Sequence, residues 1–269
     1  MTLRSGARWR PGVRGRPGVR GRPGVWGRSG GRAPSATTAR LVVRAFSEVC
    51  VTAGTLIVLF VVYVLFWTGV RADSAMDGEI GRLQDRWSAG PVATRTPGSQ
   101  EGRPGRTARQ PPYENGKSFA VMYIPRFGAG WSKPVLEGTA VDTLKKGLGH
   151  YDRTARLGET GNFAVAGHRR TYGDPFKDFP DLRPGDAVVL TDGTTWFTYR
   201  IDSRPYKTLP TDVGVIDPVP RKSGYNGPGR YLTLTTCEPE WGHSHRLIVW
   251  AHLDSTQPVE RGRPSALTG

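Results

Sequence analysis

From Val49 to Val70 the chain reads VCVTAGTLIVLFVVYVLFWTGV, 22 positions with no charged side chain and no polar stripe. At about 1.5 Å per residue a helix of that length crosses the roughly 30 Å hydrocarbon core of a bilayer. Phe66 and Trp67 stand near one end of the run, where aromatic rings favour the headgroup layer. The pattern predicts a membrane-spanning helix over residues 45–70. A buried globular helix would carry a polar side somewhere. A cleaved leader would be shorter and followed by a small-x-small site.

Apolar density returns at Phe119 and persists to Leu253, now with the period of strands. Phe119–Ile124, Pro134–Glu137, Asn162–Ala166, Asp186–Thr191, Thr195–Ile201, Tyr231–Thr236 and Arg246–Leu253 all read as strands. Asp192–Gly193 between two of them is a strong hairpin signal. Val141–Lys146 predicts a single helical turn and Pro175–Leu182 a short helix. Seven or eight short strands with almost no long helix predict a mainly β fold, a closed or nearly closed β-barrel. Its limits are drawn at residues 117–254.

The remaining sequence has the composition of linkers and tails. Residues 1–44 hold the repeat RPGVRG at 10–15 and 16–21, followed by RPGVWG at 22–27. So much Pro and Gly with so little apolar content cannot bury a core, which predicts a disordered tail. Residues 71–116, rich in Pro, Gly and charge, predict a flexible spacer, with a helical turn or two at Glu79–Trp87. Residues 255–269 lose the strand pattern and read as a C-terminal tail.

Charge then orients the chain. The formal net charge is +15, but eleven arginines and no carboxylate lie within residues 1–44. Such an excess before an apolar span places the N-terminus in the cytoplasm and everything after Arg71 outside. The expected location is the cell membrane, crossed once. A nucleic-acid partner is therefore not expected. Anionic lipid is the cheapest partner for the tail; nucleic acid, or a start codon assigned too far upstream, are the other readings of the repeat.

The candidate chemistry centres on one thiol. The chain has two cysteines, Cys50 and Cys237, and Cys50 lies in the apolar run. Cys237 ends the strand YLTLTT and precedes Glu238–Pro239, a strand exit where a nucleophile would be reachable. An inert buried thiol is the alternative. A thiol is mostly protonated near neutral pH and needs a histidine or other positive neighbour to react. His168 follows a buried strand through Gly167 and stands at a strand end as well, whereas His252 alternates with core positions and should point outward. The spacing Cys-x5-His-x-His formed with His243 and His245 is weak as a metal signal, so no metal and no cofactor are expected. Arg246 opens the last strand, nine residues after Cys237. It is either an ordinary strand-end charge or the group that stabilises a thiolate or an oxyanion.

Taken together, TLTTC (Thr233–Cys237), RLIVW beginning at Arg246, and the tract GLGHYDRTARLGETGNFAVAGHRRTYGDPF (Gly147–Phe176) resemble the sortase family. GHRRTYGDPF is most similar to class E, the housekeeping type of high-GC actinobacteria. The resemblance implies an eight-stranded barrel and a cysteine transpeptidase. Such an enzyme cuts a C-terminal LAxTG-like sorting signal between Thr and Gly and joins the Thr carboxyl to a cell-wall precursor amine. It implies Cys237 as nucleophile, His168 as acid and base, and Arg246 as the group holding substrate and oxyanion. Thr235, Thr236 and Tyr172 become candidates for contacts with substrate. The partners implied are surface proteins bearing the signal and a peptidoglycan precursor amine. A peptidase that only hydrolyses, or a membrane-tethered binding module, remain alternatives at this level.

Overall fold

A computed structural model describes residues 36–89 and 112–268. The repeat at 10–27 and the Pro- and Gly-rich centre of the expected spacer, 90–111, lie outside the described residues.

Among the described residues nine strands form one sheet: β1 (Ser118–Tyr123), β2 (Ser132–Glu137), β3 (Leu148–His150), β4 (Gly161–Ala166), β5 (Ala187–Thr191), β6 (Thr195–Ile201), β7 (Tyr206–Thr208), β8 (Arg230–Glu238) and β9 (His245–Pro258). The order β6-β5-β1-β2-β3-β4-β8-β9 is closed by a β6–β9 pairing, which makes an eight-stranded barrel. Among the described residues, closure leaves no long open edge to recruit another chain. β7 is the ninth strand. It pairs with Arg246–Ile248 of β9, while β6 takes Ala251–Pro258 of the same strand.

Alternation along the strands fills the interior. Phe163 and Val165 of β4, Leu232 and Leu234 of β8, and Leu247, Val249 and Ala251 of β9 belong to one buried cluster with Met122, Val188, Leu190 and Tyr199. The β5–β6 turn is built as its sequence predicts. Gly193 takes a φ of 88°, and Asp192 Oδ1 accepts hydrogen bonds from the Thr194 and Thr195 amides at 2.8 Å. One turn of helix, α2, covers Val141–Leu144.

The structure departs from the sequence-based boundaries in four places. The N-terminal helix, α1, runs unbroken from Ala36 to Ala89, so 36–44 are helical rather than disordered tail and 71–89 are helical rather than spacer. The reason for the second departure is a seam at helical spacing: Met76, Ile80 and Leu83 are buried, the last two together with Val121 of β1. The C-terminal tail is folded as well. β9 continues to Pro258, and Val259, Ala266 and Leu267 pack on Ala187, Val189 and Trp196. The helix expected at Pro175–Leu182 is a single 3-10 turn, Phe179–Asp181, with Pro180 as its second residue.

The chain divides into two compact units, residues 1–56 and 57–269. In the first, the described residues are the opening turns of α1, whose apolar side chains are exposed. The second holds the rest of α1 and the barrel. The helix contains one stretch long and apolar enough to cross a membrane, Ala39–Tyr63, with a mean hydropathy of 2.2.

Candidate active site

Three strand ends meet at one rim of the barrel. β4 and β8 run parallel, with Ala166 opposite Thr235, so both finish at the same end. β9 runs antiparallel to β8 and starts there, with Arg246 directly opposite Cys237. His168 lies two residues beyond Ala166, level with Cys237. The junction is tied by two hydrogen bonds: the Gly167 amide donates to the Thr235 carbonyl at 3.1 Å, and the Thr236 hydroxyl donates to the Gly167 carbonyl at 2.8 Å.

Parity decides which side chains share a face. Leu232 and Leu234 point inward, so Thr233, Thr235 and Cys237 point outward, as do Ala164 and Ala166 on β4 and Arg246, Ile248 and Trp250 on β9. The lower part of this outer wall is covered by the segment between β7 and β8. Val215 packs on Ile248 and Trp250, the Trp250 indole donates to the Val215 carbonyl at 3.0 Å, and Asn162 Nδ2 donates to the Asp217 carbonyl at 3.1 Å. The upper part, around Cys237, is where the start of β9 and the loop after β4 converge.

The six residues singled out from sequence divide on this geometry. Cys237, half-buried and in no disulfide, His168 and Arg246 stand together at the rim. Arg246 turns its guanidinium back on its own loop, Nη1 donating to the His243 and His245 carbonyls at 3.0 and 2.9 Å. Thr235 faces the same wall with its hydroxyl 3.0 Å from that of Tyr151. Tyr172 holds a left-handed φ of 54°, and its ring centre lies 5.1 Å from that of His168. Thr236 does not line the groove: it faces the interior, 2% exposed, and its hydroxyl is spent on Gly167.

Two further side chains meet this wall without a local pattern that singles them out. Tyr151 follows β3, its amide donates to the Ala164 carbonyl of β4, and its hydroxyl reaches across β4 to Thr235 of β8; a three-residue strand leaves too short a pattern to read. Arg169, adjacent to His168, forms an ion pair with Glu238, and its Nη1 lies 3.5 Å from the Cys237 carbonyl. Arg170 pairs in turn with Glu240. These contacts staple the loop that carries His168 to the loop that follows Cys237. Gly167 is required by a close approach, since a Cβ there would come 2.6 Å from Phe176 and 2.7 Å from Leu148.

Among the described residues, Nε2 of His168 is one of two buried side-chain polar atoms with no hydrogen-bond partner; Nε of Arg169 is the other. An unsatisfied buried nitrogen is costly, and active sites are where such a cost is retained. Burial pushes the His168 imidazole below the ordinary histidine range, and the Lys145 ammonium adds to that. Because the folded imidazole resists protonation, it disfavours the folded state as pH falls through the ordinary histidine range. Lys145→Gln removes the second cause. The titration of His168, followed by NMR, should then move to higher pH; no movement would show that Lys145 does not act on it. Among the described residues no three His, Cys, Asp or Glu side chains are grouped to hold a metal ion.

The family model for the sortase domain matches residues 122–254. Sortase SrtE1 of Streptomyces coelicolor is 39% identical over 243 residues, which cover 88% of this chain and 64% of that protein, so the chain spans less than two thirds of its length. The solved structure of sortase E from Streptomyces avermitilis is 78% identical with a TM-score of 0.55, over 58% of this chain and 99% of that one. The crystal structure of sortase E1 from Streptomyces coelicolor, with a tripeptide in its active site, is 39% identical with a TM-score of 0.54, over 56% of this chain and 97% of that one. On these likenesses the chain belongs to the sortase family, within its class E.

Proposed function

We propose that this chain is a membrane-anchored cysteine transpeptidase acting on LAxTG-like C-terminal sorting signals of surface proteins. Cys237 Sγ attacks the Thr carbonyl carbon and a C–S bond forms as His168 takes the thiol proton. The Thr–Gly C–N bond breaks, and His168 passes that proton to the leaving amine. A peptidoglycan precursor amine then attacks the thioester, His168 takes a proton from it, the C–S bond breaks, and His168 returns the proton to the departing Cys237 sulfur. Arg246 swings from its loop carbonyls to the oxyanion that each attack creates. Thr235, Tyr151 and Tyr172 line the approach.

The observation that carries this reading is the meeting of Cys237, Arg246 and an unpartnered His168 nitrogen at adjoining strand ends on one outer wall. The tripeptide held in the active site of sortase E1 supports a peptide as the ligand. The test supplies an LAxTG peptide and a small amine acceptor to the detergent-solubilised chain and follows products by mass spectrometry. The expected result is a new amide at the Thr carboxyl. Hydrolysed fragment alone, at saturating amine, would overturn the transferase reading in favour of a peptidase.

A further inference from the structure

α1 does not end where its apolar run ends. The run continues through Val70, Arg71 is the first charge after Glu48, and the helix then proceeds without a break to Ala89. Over that last stretch it is docked on the outside of the barrel. Met76, Ile80 and Leu83 are 0%, 8% and 2% exposed, and Ile80, Leu83 and Trp87 pack on Val121 and Tyr123. Polar contacts clamp both ends of this seam. Lys133 of β2 pairs with Asp73 at 2.7 Å. Arg86 donates to the Ser118 carbonyl at 3.0 Å, and Ser118 Oγ donates to Glu79 at 2.6 Å.

The direction of docking is fixed by what lies at each end. At the end nearer the apolar run, Asp73 and Met76 lie beneath the loop after His168: a Cβ at Gly173 would come 2.7 Å from Asp73 Oδ1 and 3.4 Å from Met76 Cε. At the other end Trp87 rests against Gly193 in the β5–β6 turn. Sheet register agrees. Val135 pairs with Leu148 and Gly149 with Ala166, so the Lys133 end of β2 is level with the His168 end of β4.

We propose that the docked part of α1 holds the barrel with its catalytic rim turned toward the bilayer, against the lipid headgroups. Val70 and Asp73 are three residues apart, about 5 Å along the helix, while Trp87 is about 20 Å farther out. The rim presents aromatic groups suited to that layer. Trp241, in the loop between β8 and β9, is 73% exposed with the Arg170 guanidinium 5.3 Å from its ring centre, and Tyr172 is 43% exposed. Tryptophan and tyrosine concentrate at membrane interfaces because each has an apolar body and a polar tip. The placement deepens the transpeptidase reading and rests on it in one respect. Such an enzyme reaches scissile bonds that lie a few residues from a membrane-held apolar segment and misses those on long spacers.

Position is tested first, in a form that needs no catalysis. The full chain with Cys50→Ala and Cys237→Ala is reconstituted into vesicles of phosphatidylglycerol and phosphatidylcholine. A fluorophore is placed at Trp241→Cys or, at the opposite end of the barrel, at Glu159→Cys. A headgroup-spin-labelled lipid should quench the probe at 241 several-fold more than the probe at 159. Equal quenching, or the reverse order, would overturn the proposal. Leu83→Asp, which breaks the seam, should abolish the contrast; a contrast that survives it would show that docking does not set the orientation. The second arm uses the unmodified chain with membrane-anchored LAxTG substrates bearing spacers of two or twenty residues. The short spacer should be cleaved at least ten-fold faster. Equal cleavage would overturn the restriction on reach. Failure to cleave either would count against the transpeptidase reading and leave the quenching result standing.

Discussion

Cys237→Ala is expected to lower turnover of an LAxTG peptide by on the order of 10^4-fold or more, the scale seen when a covalent nucleophile is removed. It should also abolish the mass increment of an acyl-enzyme. Cys237 is half-buried on the outer wall, so trimming it to alanine removes one sulfur without opening a core cavity. Circular dichroism and melting temperature should therefore stay near the wild-type values. The pair of results separates chemistry from folding. An alanine variant that still formed acyl-enzyme would place the nucleophile elsewhere, and among the described residues the other cysteine is Cys50, in the opening turns of α1.

His168→Gln should cost roughly 10^2- to 10^4-fold in the same assay, the usual contribution of a positioned acid or base. Glutamine fills similar space and keeps a donor, but it cannot pass a proton between two partners. The loss should be smaller with an activated thioester donor, whose leaving group needs no proton, than with a peptide. That difference marks a proton-transfer role, because a residue that merely propped the loop would slow both donors alike. The Nε2 atom, buried and without a partner in the resting site, is available for that transfer.

Much of this site could be read from sequence because strand ends are legible. YLTLTT leading into Cys237, NFAVA leading to His168, and RLIVW opening at Arg246 each carry enough alternation to place the residue that follows at a rim. What bound the three ends together could not be read. The parallel β4–β8 register depends on hydrogen bonds that no local pattern encodes. Thr235 and Thr236 look alike in TLTTC, yet parity sends one to the groove and the other to the interior. β3 and β7 are three residues long, too short to alternate. The extension of α1 was masked by Gly78 and Gly81, ordinary breaker signals, although Met76, Ile80, Leu83 and Trp87 carry the helical period. Tertiary burial against Val121 outweighs the roughly 1 kcal/mol that each glycine costs a helix. In the C-terminal segment, Val259, Ala266 and Leu267 are too sparse to announce a packed face.

The hydrogen bond between Thr236 and Gly167 joins residues 69 positions apart. Contacts of such separation form late, because the loop they close must first lose its entropy. A chain growing from its N-terminus presents His168 well before Cys237, and the two become neighbours when β8 takes its place between β4 and β9. The neighbourhood of the thiol is thus set by topology: until β8 pairs with β4, Cys237 stands in the chain without His168 beside it.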